Sequence, residues 1–284
     1  MSLASSVPIC LPSVAPLLEK YQALFLDAYG VLVDHGGALP GAAELVETLN
    51  RRRFNYFVVT NDASRLPETQ VARFAGLGLP IPSERIVSSG DLIAPYFAAE
   101  GLRGARCIVL GSADSIRYVE LAGGVIVPYD AEAEVVLVAD DDGYPFIPAL
   151  NEVISMLFRR IEFGRPPKLV LPNPDLIYPH GPGKVAIASG SFGVLVETAL
   201  KLRFPQEEGL VFRRLGKPFA PIFEEACRRA GTREAVMVGD QLETDIRGAR
   251  DFGLATALIT TGLTRPEEAI RGEVRPRYLL DGLT

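Results

Sequence analysis

The sequence predicts an α/β protein built on a parallel β-sheet. Three observations support this fold class: short apolar runs recur along the chain, helix-like segments separate them, and polar residues follow several of the runs. Apolar runs of this kind are typical of strands that are buried on both faces of a parallel sheet. The 284 residues, of which 48% are hydrophobic, are sufficient for one large domain or two modest ones.

The elements are predicted from the position of each apolar run. The first strand is Ala23–Leu26, which ends at Asp27, and a helix is predicted over Gly41–Arg53 from apolar residues at helical spacing. The second strand is Tyr56–Val59, which ends at Thr60. The further strand candidates are Arg106–Leu110, Val125–Val127, Val135–Val138, Lys168–Leu171, Ala235–Val238 and Thr256–Ile259.

A long segment in the middle of the chain carries its own series of strands and helices, from about Arg106 to Asp175. We therefore expect a smaller α/β domain at residues 87–189, inserted into a core made of residues 1–86 and 190–284. The predicted hinges are Pro82, Gly90 and the Gly181-Pro182-Gly183 segment.

Composition and charge exclude several classes of function. The formal charge is -6 without a long basic run, which disfavours nucleic-acid binding. Three scattered cysteines form neither a metal motif nor a disulfide framework, and the first 18 residues lack the basic start of a secretory signal. Since no segment resembles a membrane span, we expect a cytoplasmic protein without a membrane partner.

Acidic residues follow two of the predicted strands. Asp27 ends the first strand, and Asp240 and Asp245 follow the strand at Ala235–Val238. The carboxyl ends of parallel strands meet at one sheet edge, where ligands bind. Carboxylate oxygens gathered there favour a hard cation such as Mg²⁺. Turn formation and helix capping are the simpler interpretation of each residue alone.

Two further segments suit a phosphate group. Thr60, Asn61 and Asp62 follow the second strand and offer a hydroxyl, an amide and backbone N–H groups at an expected helix start. Lys217, in the sequence Gly216-Lys217-Pro218, offers a cation that would neutralise a phosphate and hold a nucleophile. Capping and solvated surface positions are the ordinary roles of such residues.

Taken in order, these segments resemble the four motifs of the haloacid dehalogenase superfamily. Asp27 matches the nucleophile, Thr60 the hydroxyl of the second motif, Lys217 the lysine of the third, and Asp240 with Asp245 the acidic fourth motif. The resemblance implies a Rossmann-like core with an inserted α/β cap of the type found in the sugar-phosphatase-like and 4-nitrophenylphosphatase-like branch. Asn173-Pro174-Asp175 also resembles that branch.

The resemblance implies a Mg²⁺-dependent phosphatase that acts through an aspartyl-phosphate on Asp27. The metal ligands would be Asp27, the backbone carbonyl of Tyr29, Asp240 and Asp245. The phosphorylated metabolite, for example a sugar phosphate, would be bound by Thr60, Asn61, Asn173, Asp175 and Lys217, with Thr60 and Lys217 also catalytic. A homodimer formed through the cap is a further expectation.

One position departs from the family pattern. The general acid–base aspartate of family phosphatases is normally two residues after the nucleophile, and this chain has Tyr29 there. An unperturbed phenol, with a pKa near 10, is a poor base at neutral pH. Asp62 and Asp175 are the candidates to supply the proton. Two alternatives stay open: a 2-haloacid dehalogenase, whose first motif is similar, and a weakened protein that binds a phosphorylated ligand.

Overall fold

The structure is a computed structural model that describes residues 7–181, 184–260, 269–270 and 272–284. The strands are β1 (Ile9–Leu11), β2 (Ala23–Leu26), β3 (Val33–Asp34), β4 (Gly37–Ala38), β5 (Tyr56–Thr60), β6 (Ile86–Ser88), β7 (Arg106–Leu110), β8 (Val125–Ile126), β9 (Val135–Val138), β10 (Lys168–Leu171), β11 (Ile177–Pro179), β12 (Val185–Ile187), β13 (Arg213–Arg214), β14 (Ala235–Gly239), β15 (Ala255–Ile259) and β16 (Tyr278–Leu280). The predicted strands are confirmed to within one or two residues.

The helices lie between these strands in the pattern expected of an α/β chain. They are α1 (Ala15–Leu18), α2 (Ala42–Arg51), α3 (Pro67–Gly76), α4 (Ile93–Ala99), α5 (Ala113–Leu121), α6 (Phe146–Glu162), α7 (Ser189–Arg203), α8 (Ala220–Ala230) and α9 (Arg247–Phe252). A wide helical turn over Leu242–Ile246 leads into α9. None of the described helices has the length and apolar character needed to cross a bilayer.

Within the described residues, seven strands form a parallel sheet in the order β1-β16-β15-β14-β2-β5-β6. Strand β2 lies inside this sheet, with β14 on one side and β5 on the other. Every residue of these three strands is buried. Helices therefore cover both faces of the sheet, and the predicted α/β class is confirmed.

Helix α2 illustrates why this sequence covers the sheet. Its buried residues are Ala42, Leu45, Val46 and Leu49, which recur every three or four residues and form one stripe. The stripe belongs to an apolar cluster that includes residues of β2. Full burial of one large aliphatic side chain contributes about 1.5–3 kcal/mol to folding. The stripe therefore fixes the side of α2 that faces the sheet.

A second parallel sheet forms from the middle of the chain, with the strand order β13-β10-β9-β7-β8 among the described residues. Helices α6 and α7 share an apolar cluster with one face of it. Another apolar cluster contains Phe57 of the first sheet and Val109 of the second. The two sheets are therefore linked by continuous packing.

The second sheet extends beyond the predicted end of the insert at residue 189. Helix α7 packs on this sheet, and β13 extends it as the parallel neighbour of β10. The expected return to the core at residue 190 is therefore wrong. We propose that the chain crosses between the two domains at residues 89–105, between β6 and β7, and again at residues 215–219, between β13 and α8.

The predicted hinges fare differently. Gly90 lies two residues after β6, in the first crossing segment, whereas Pro82 lies before β6. Gly181 lies between the antiparallel strands β11 and β12, away from both crossings. Pro182 and Gly183 lie outside the described residues.

Candidate active site

The carboxyl ends of three neighbouring strands bring the predicted residues together. Asp27 directly follows β2, Asp240 directly follows β14, and Thr60 is the last residue of β5. Because β14 and β5 flank β2, these three positions share one edge of the sheet. A cavity of about 390 Å³ opens at this edge, and residues from both sheets line it.

A buried acidic cluster lies at the inner end of the cavity. It consists of Asp27, Asp240 and Asp245, whose nearest carboxylate oxygens all lie within 4.8 Å of one another. The turn over Leu242–Ile246 places Asp245, and the backbone N–H of Gln241 donates to its Oδ2 at 3.2 Å. The sequence prediction that these three acids converge is met by their positions.

Lys217 is the cation of this cluster. Its Nζ lies 2.6 Å from Asp27 Oδ1 and 2.7 Å from Asp245 Oδ1, and the side chain is buried. Burial raises the pKa of Asp27, an effect that the charge of Lys217 opposes. Burial also disfavours the charged form of Lys217, but Asp245 and Asp27 together raise the pKa of this lysine above its ordinary value.

The cluster has the charge and the donor atoms that suit a divalent cation. With all groups ionised, three carboxylates and one ammonium leave two formal negative charges in a buried space. Uncompensated burial of such charge is unfavourable. Oxygen is the only donor type in the set, which is the preference of Mg²⁺ and Ca²⁺. The residues present therefore fit such an ion.

Gly30 allows the loop after Asp27 to approach this cluster. Its φ of +89° is unfavourable for residues with a side chain, and a Cβ built there would lie 2.3 Å from Asp240 Oδ2. The backbone of the loop therefore lies directly against Asp240. The same loop carries Tyr29, whose carbonyl is a predicted metal ligand.

Asn61 joins three segments of the chain instead of facing the cavity with a free amide. Its Nδ2 donates to Asp175 Oδ1 and to the Lys217 carbonyl, both at 2.9 Å. Its Oδ1 accepts from the Lys217 backbone N–H at 2.6 Å. A side chain at Gly216 would collide with this oxygen, since its Cβ would lie 2.4 Å away. The geometry favours a positioning role for Asn61 over the predicted contact with phosphate.

The segment around Thr60 does not begin a helix as expected. Helix α3 starts at Pro67, because Asp62 first forms a side-chain turn in which it accepts from the Ser64 backbone N–H at 2.7 Å. Thr60 is buried and lines the cavity, in agreement with its predicted position. The other bonds to the Asp62 carboxylate come from the Ser64 hydroxyl, Arg65 and Gln70. Donors thus surround Asp62, which leaves it poorly placed to give a proton.

Asp175 reaches the cavity from the connection that follows β10. Burial raises the pKa of its carboxyl to about 6, although Lys217 and the bond from Asn61 oppose the shift. Asn173 orients this connection, because its Oδ1 accepts from the Asp175 backbone N–H at 2.9 Å. Both residues line the cavity, and their role in binding substrate stays a prediction.

Aromatic rings form part of the outer end of the cavity. The ring of Tyr29 packs edge-to-face against that of Tyr178 from the second sheet's domain, with centroids 6.4 Å apart. The Tyr178 hydroxyl donates to Asp141 Oδ2 at 3.2 Å. Burial raises the pKa of Tyr29, so its phenol keeps its proton at neutral pH. Tyr29 therefore occupies the acid–base position as a packed, uncharged group.

Sequence reasoning missed much of this outer end. The lining residues that it did not select include Arg65, Arg73 and Tyr178. Asp140, Asp141 and Asp142 also line the cavity, and the Asp141 backbone N–H donates to Asp140 Oδ1. They follow β9, so the rule that ligands bind beyond the carboxyl ends of strands would have identified them if applied to the second sheet.

Comparisons with known proteins agree with this arrangement. Residues 24–124 match the haloacid dehalogenase-like hydrolase family, and residues 214–284 match the HAD-hydrolase-like family. Chronophin from Homo sapiens is 31% identical over 271 residues, which cover 89% of this chain and 86% of chronophin.

Two solved structures extend the likeness to three dimensions. A possible sugar phosphatase from Cytophaga hutchinsonii is 32% identical, with a TM-score of 0.83 and coverage of 98% of each chain. A glycerol phosphate phosphatase from Mycobacterium tuberculosis, in complex with magnesium, is 26% identical with a TM-score of 0.76, covering 93% of this chain and 75% of that chain.

Proposed function

Because this chain belongs to the haloacid dehalogenase superfamily, in its subclass IIA, and is a phosphoric monoester hydrolase, we propose that it acts through an aspartyl-phosphate on Asp27. The substrate is a small phosphorylated metabolite, as it is for the phosphatases to which the chain is similar. The observation that carries the proposal is the contact between Asp27 and Lys217 inside a buried acidic cluster at the end of a cavity.

The hydrogen bonds of Asp27 indicate which oxygen attacks. Oδ1 is held by Lys217 at 2.6 Å and by the Ala28 backbone N–H at 2.7 Å. Oδ2 is then the nucleophile: its bond to phosphorus forms as the bond from phosphorus to the leaving oxygen breaks. In the second step water attacks phosphorus, phosphate leaves, and the carboxylate of Asp27 is restored.

The residues that would hold Mg²⁺ are Asp27, Asp240, Asp245 and the backbone carbonyl of Tyr29. Bound magnesium would neutralise charge that develops on the transferring phosphoryl group. Both oxygens of Asp245 already accept hydrogen bonds, from Lys217 and from the Gln241 backbone, so Asp245 also fixes the lysine. The magnesium complex of the similar glycerol phosphate phosphatase supports the choice of metal.

Lys217 and the Thr60 hydroxyl also stabilise negative charge on the transferring phosphoryl group. Lys217 is held in place from both ends, by carboxylates at its Nζ and by Asn61 at its backbone. A preorganised donor of this kind typically contributes about 10²–10³-fold to the rate. Asn61 therefore acts through the position of Lys217.

We propose that Asp175 transfers the proton that the usual acid–base aspartate would transfer. It lines the cavity and its pKa of about 6 allows both protonation states near neutrality. As an acid it would protonate the leaving oxygen, and as a base it would then take a proton from the attacking water. Asp62 is less suited because four donors already bind its carboxylate.

The remaining alternatives are less well supported. A 2-haloacid dehalogenase needs no metal, so a buried pair of acids beside Asp27 would have no purpose there. A protein that only binds its ligand would not need a titratable carboxyl at Asp175. The cytoplasmic location and the homodimer formed through the cap stay predictions.

Hydrolysis of 4-nitrophenyl phosphate tests the proposed function. We expect turnover with Mg²⁺ and its loss when a chelator removes the metal. Asp27→Asn should lower kcat by about 10⁶-fold, the loss typical of removing a nucleophile. Asp130→Asn, at an exposed position outside the cavity, is the matched control and should retain activity. Metal-independent turnover, or activity in Asp27→Asn, would contradict the mechanism.

A further inference from the structure

Arg73, at the outer end of the cavity, has no counterion among the described residues. It lies on α3, lines the cavity and is half-buried. Among the residues that the structure describes, its guanidinium forms no ion pair and no hydrogen bond, and lies only over the neighbouring Phe74 ring at 5.7 Å. The nearby Arg65, by contrast, contacts Asp62 Oδ2 at 2.7 Å.

The surroundings of Arg73 leave its charge uncompensated. Burial lowers its pKa, and the like charge of Arg65 lowers it further, while Asp62 and Tyr29 act in the opposite direction. Asp62 is already committed to Arg65, Ser64 and Gln70. Fully buried charges are normally paired, and the buried part of the Arg73 side chain has no ion-pair partner among the described residues. An anion that enters the cavity could therefore pair with Arg73.

The other walls restrict where that anion can lie. Asp140, Asp141 and Asp142 line the side of the cavity that the second sheet's domain provides, and the carboxylates of Asp141 and Asp142 disfavour an anion there. Tyr29 also lines the cavity, and its phenol O–H is a second donor. A carboxylate, which accepts from several donors in one plane, suits this pair.

We propose that Arg73 determines specificity by binding a carboxylate on the leaving-group side of the substrate. The proposal rests on the proposed function, because the phosphoryl group must lie at Asp27 for the leaving group to extend toward Arg73. The substrate class is then a phosphomonoester of a small hydroxy acid. Arg73 is a binding residue, and the bond-breaking steps do not require it.

A pair of substrates that differ at one group tests this assignment. 3-Phosphoglycerate carries a carboxylate where glycerol 3-phosphate carries a hydroxymethyl group. We expect kcat/KM to favour 3-phosphoglycerate by about tenfold to a hundredfold, the range for a hydrogen bond between charged groups. In Arg73→Gln this ratio should fall toward one, and Arg73→Lys should retain part of it.

A second arginine controls for the change in net charge. Arg117 is exposed on α5, pairs with Glu120 and does not line the cavity. Arg117→Gln should keep the full preference for 3-phosphoglycerate. A ratio that is the same in the unaltered enzyme and in Arg73→Gln would overturn the proposal. So would an equal loss for both substrates, which would instead mean that Arg73 pairs with the acids of the opposite wall.

Binding measurements separate this proposal from the proposed function. Calorimetric titration of Asp27→Asn with both compounds, in the presence of Mg²⁺, gives their relative affinities without turnover. A preference for 3-phosphoglycerate that disappears in Asp27→Asn/Arg73→Gln supports the role of Arg73 even if the unaltered enzyme hydrolyses neither compound. Equal affinities in Asp27→Asn overturn it, even if the enzyme is an active phosphatase.

Discussion

The inner and outer ends of the cavity differ in how their charges are balanced. At the inner end Asp27, Lys217 and Asp245 are buried and joined by contacts of 2.6 and 2.7 Å. At the outer end Arg73 is half-buried and has no ion pair among the described residues, and Tyr29 and Tyr178 contact each other only through ring edges. The fold holds the inner groups in fixed positions, whereas the outer groups can still form hydrogen bonds and ion pairs with a bound ligand.

This difference separates the reaction from the choice of substrate. Groups that act on a developing charge work best when the fold fixes them in advance. Groups that recognise a leaving group must stay free until it arrives. Asp175 lies between the two sets: it is held by Asn61 of the inner end, yet it comes from the domain that supplies much of the outer wall.

Asp175→Asn is expected to have the largest effect of the changes that test this division. Loss of the proton-transfer group should lower kcat for alkyl phosphates by about 10²–10⁴-fold. The loss should be smaller for 4-nitrophenyl phosphate, whose leaving group needs little protonation. Stopped-flow measurement of both substrates gives the two ratios. Equal losses would assign Asp175 to the structural support of Asn61.

The pH dependence of the first step checks the same residue. Burial raises the pKa of Asp175 to about 6, so the acid is protonated below that pH and ionised above it. Formation of the phosphoenzyme from an alkyl phosphate should therefore slow by about tenfold per unit above pH 6. Asp175→Asn should remove this dependence. Tyr29→Asp, which returns the family's acid, should restore activity to Asp175→Asn.

Lys217→Met is expected to affect both rate and stability. The rate should fall by about 10²–10³-fold. Removing one partner of a buried ion pair costs about 3–5 kcal/mol of the free energy of unfolding. Burial already raises the pKa of Asp27, so the ionised carboxylate destabilises the variant above the ordinary pKa and protonation relieves it at lower pH.

Urea unfolding of Lys217→Met at pH 7.5 and pH 5 measures that loss. The deficit relative to the unaltered protein should shrink at the lower pH. Lys201→Met, at an exposed position of α7 with no ion pair among the described residues, is the control and should change little at either pH. A deficit that does not depend on pH would show that packing around the lysine matters more than its charge.

Tyr29→Phe should have the smallest effect. The ring contact with Tyr178 stays and only the hydroxyl is lost, so kcat/KM should change by less than about threefold for 4-nitrophenyl phosphate and fall by about tenfold for 3-phosphoglycerate, whose carboxylate loses one donor. Steady-state rates with 4-nitrophenyl phosphate and 3-phosphoglycerate measure the change. A loss above a hundredfold with both would identify the phenol as the proton donor.

The sequence allowed the inner end to be predicted because its residues directly follow apolar strands. Asp27 and Asp240 lie next to runs that are buried throughout, and the order of the motifs added Lys217. The contact between Asn61 and Asp175 was not predictable, since it joins residues 114 positions apart in different domains. Strand β13 was missed because it consists of two arginines and has no apolar run.

Arg73 shows a different limit of sequence reasoning. An arginine on an amphipathic helix is usually a solvated surface residue, and nothing in the periodicity of α3 distinguishes this one. Its significance comes from the cavity beside it, which forms only when the two sheets pack together. Specificity in such a fold is therefore the part of function that needs a structure.

The amide of Asn61 links the position of the inserted domain to the proton-transfer step. This amide forms hydrogen bonds with the backbone of Lys217 and with the carboxyl group of Asp175, so it connects the two domains. Any swing of the inserted domain that separates them would carry the proposed proton donor away from the phosphorus. With the two domains apart, the site would keep its nucleophile, Asp27, but lack its proton donor, Asp175. Water that enters the open cavity would then hydrolyse the phosphorylated intermediate only slowly. Closure and chemical competence would thus be one event.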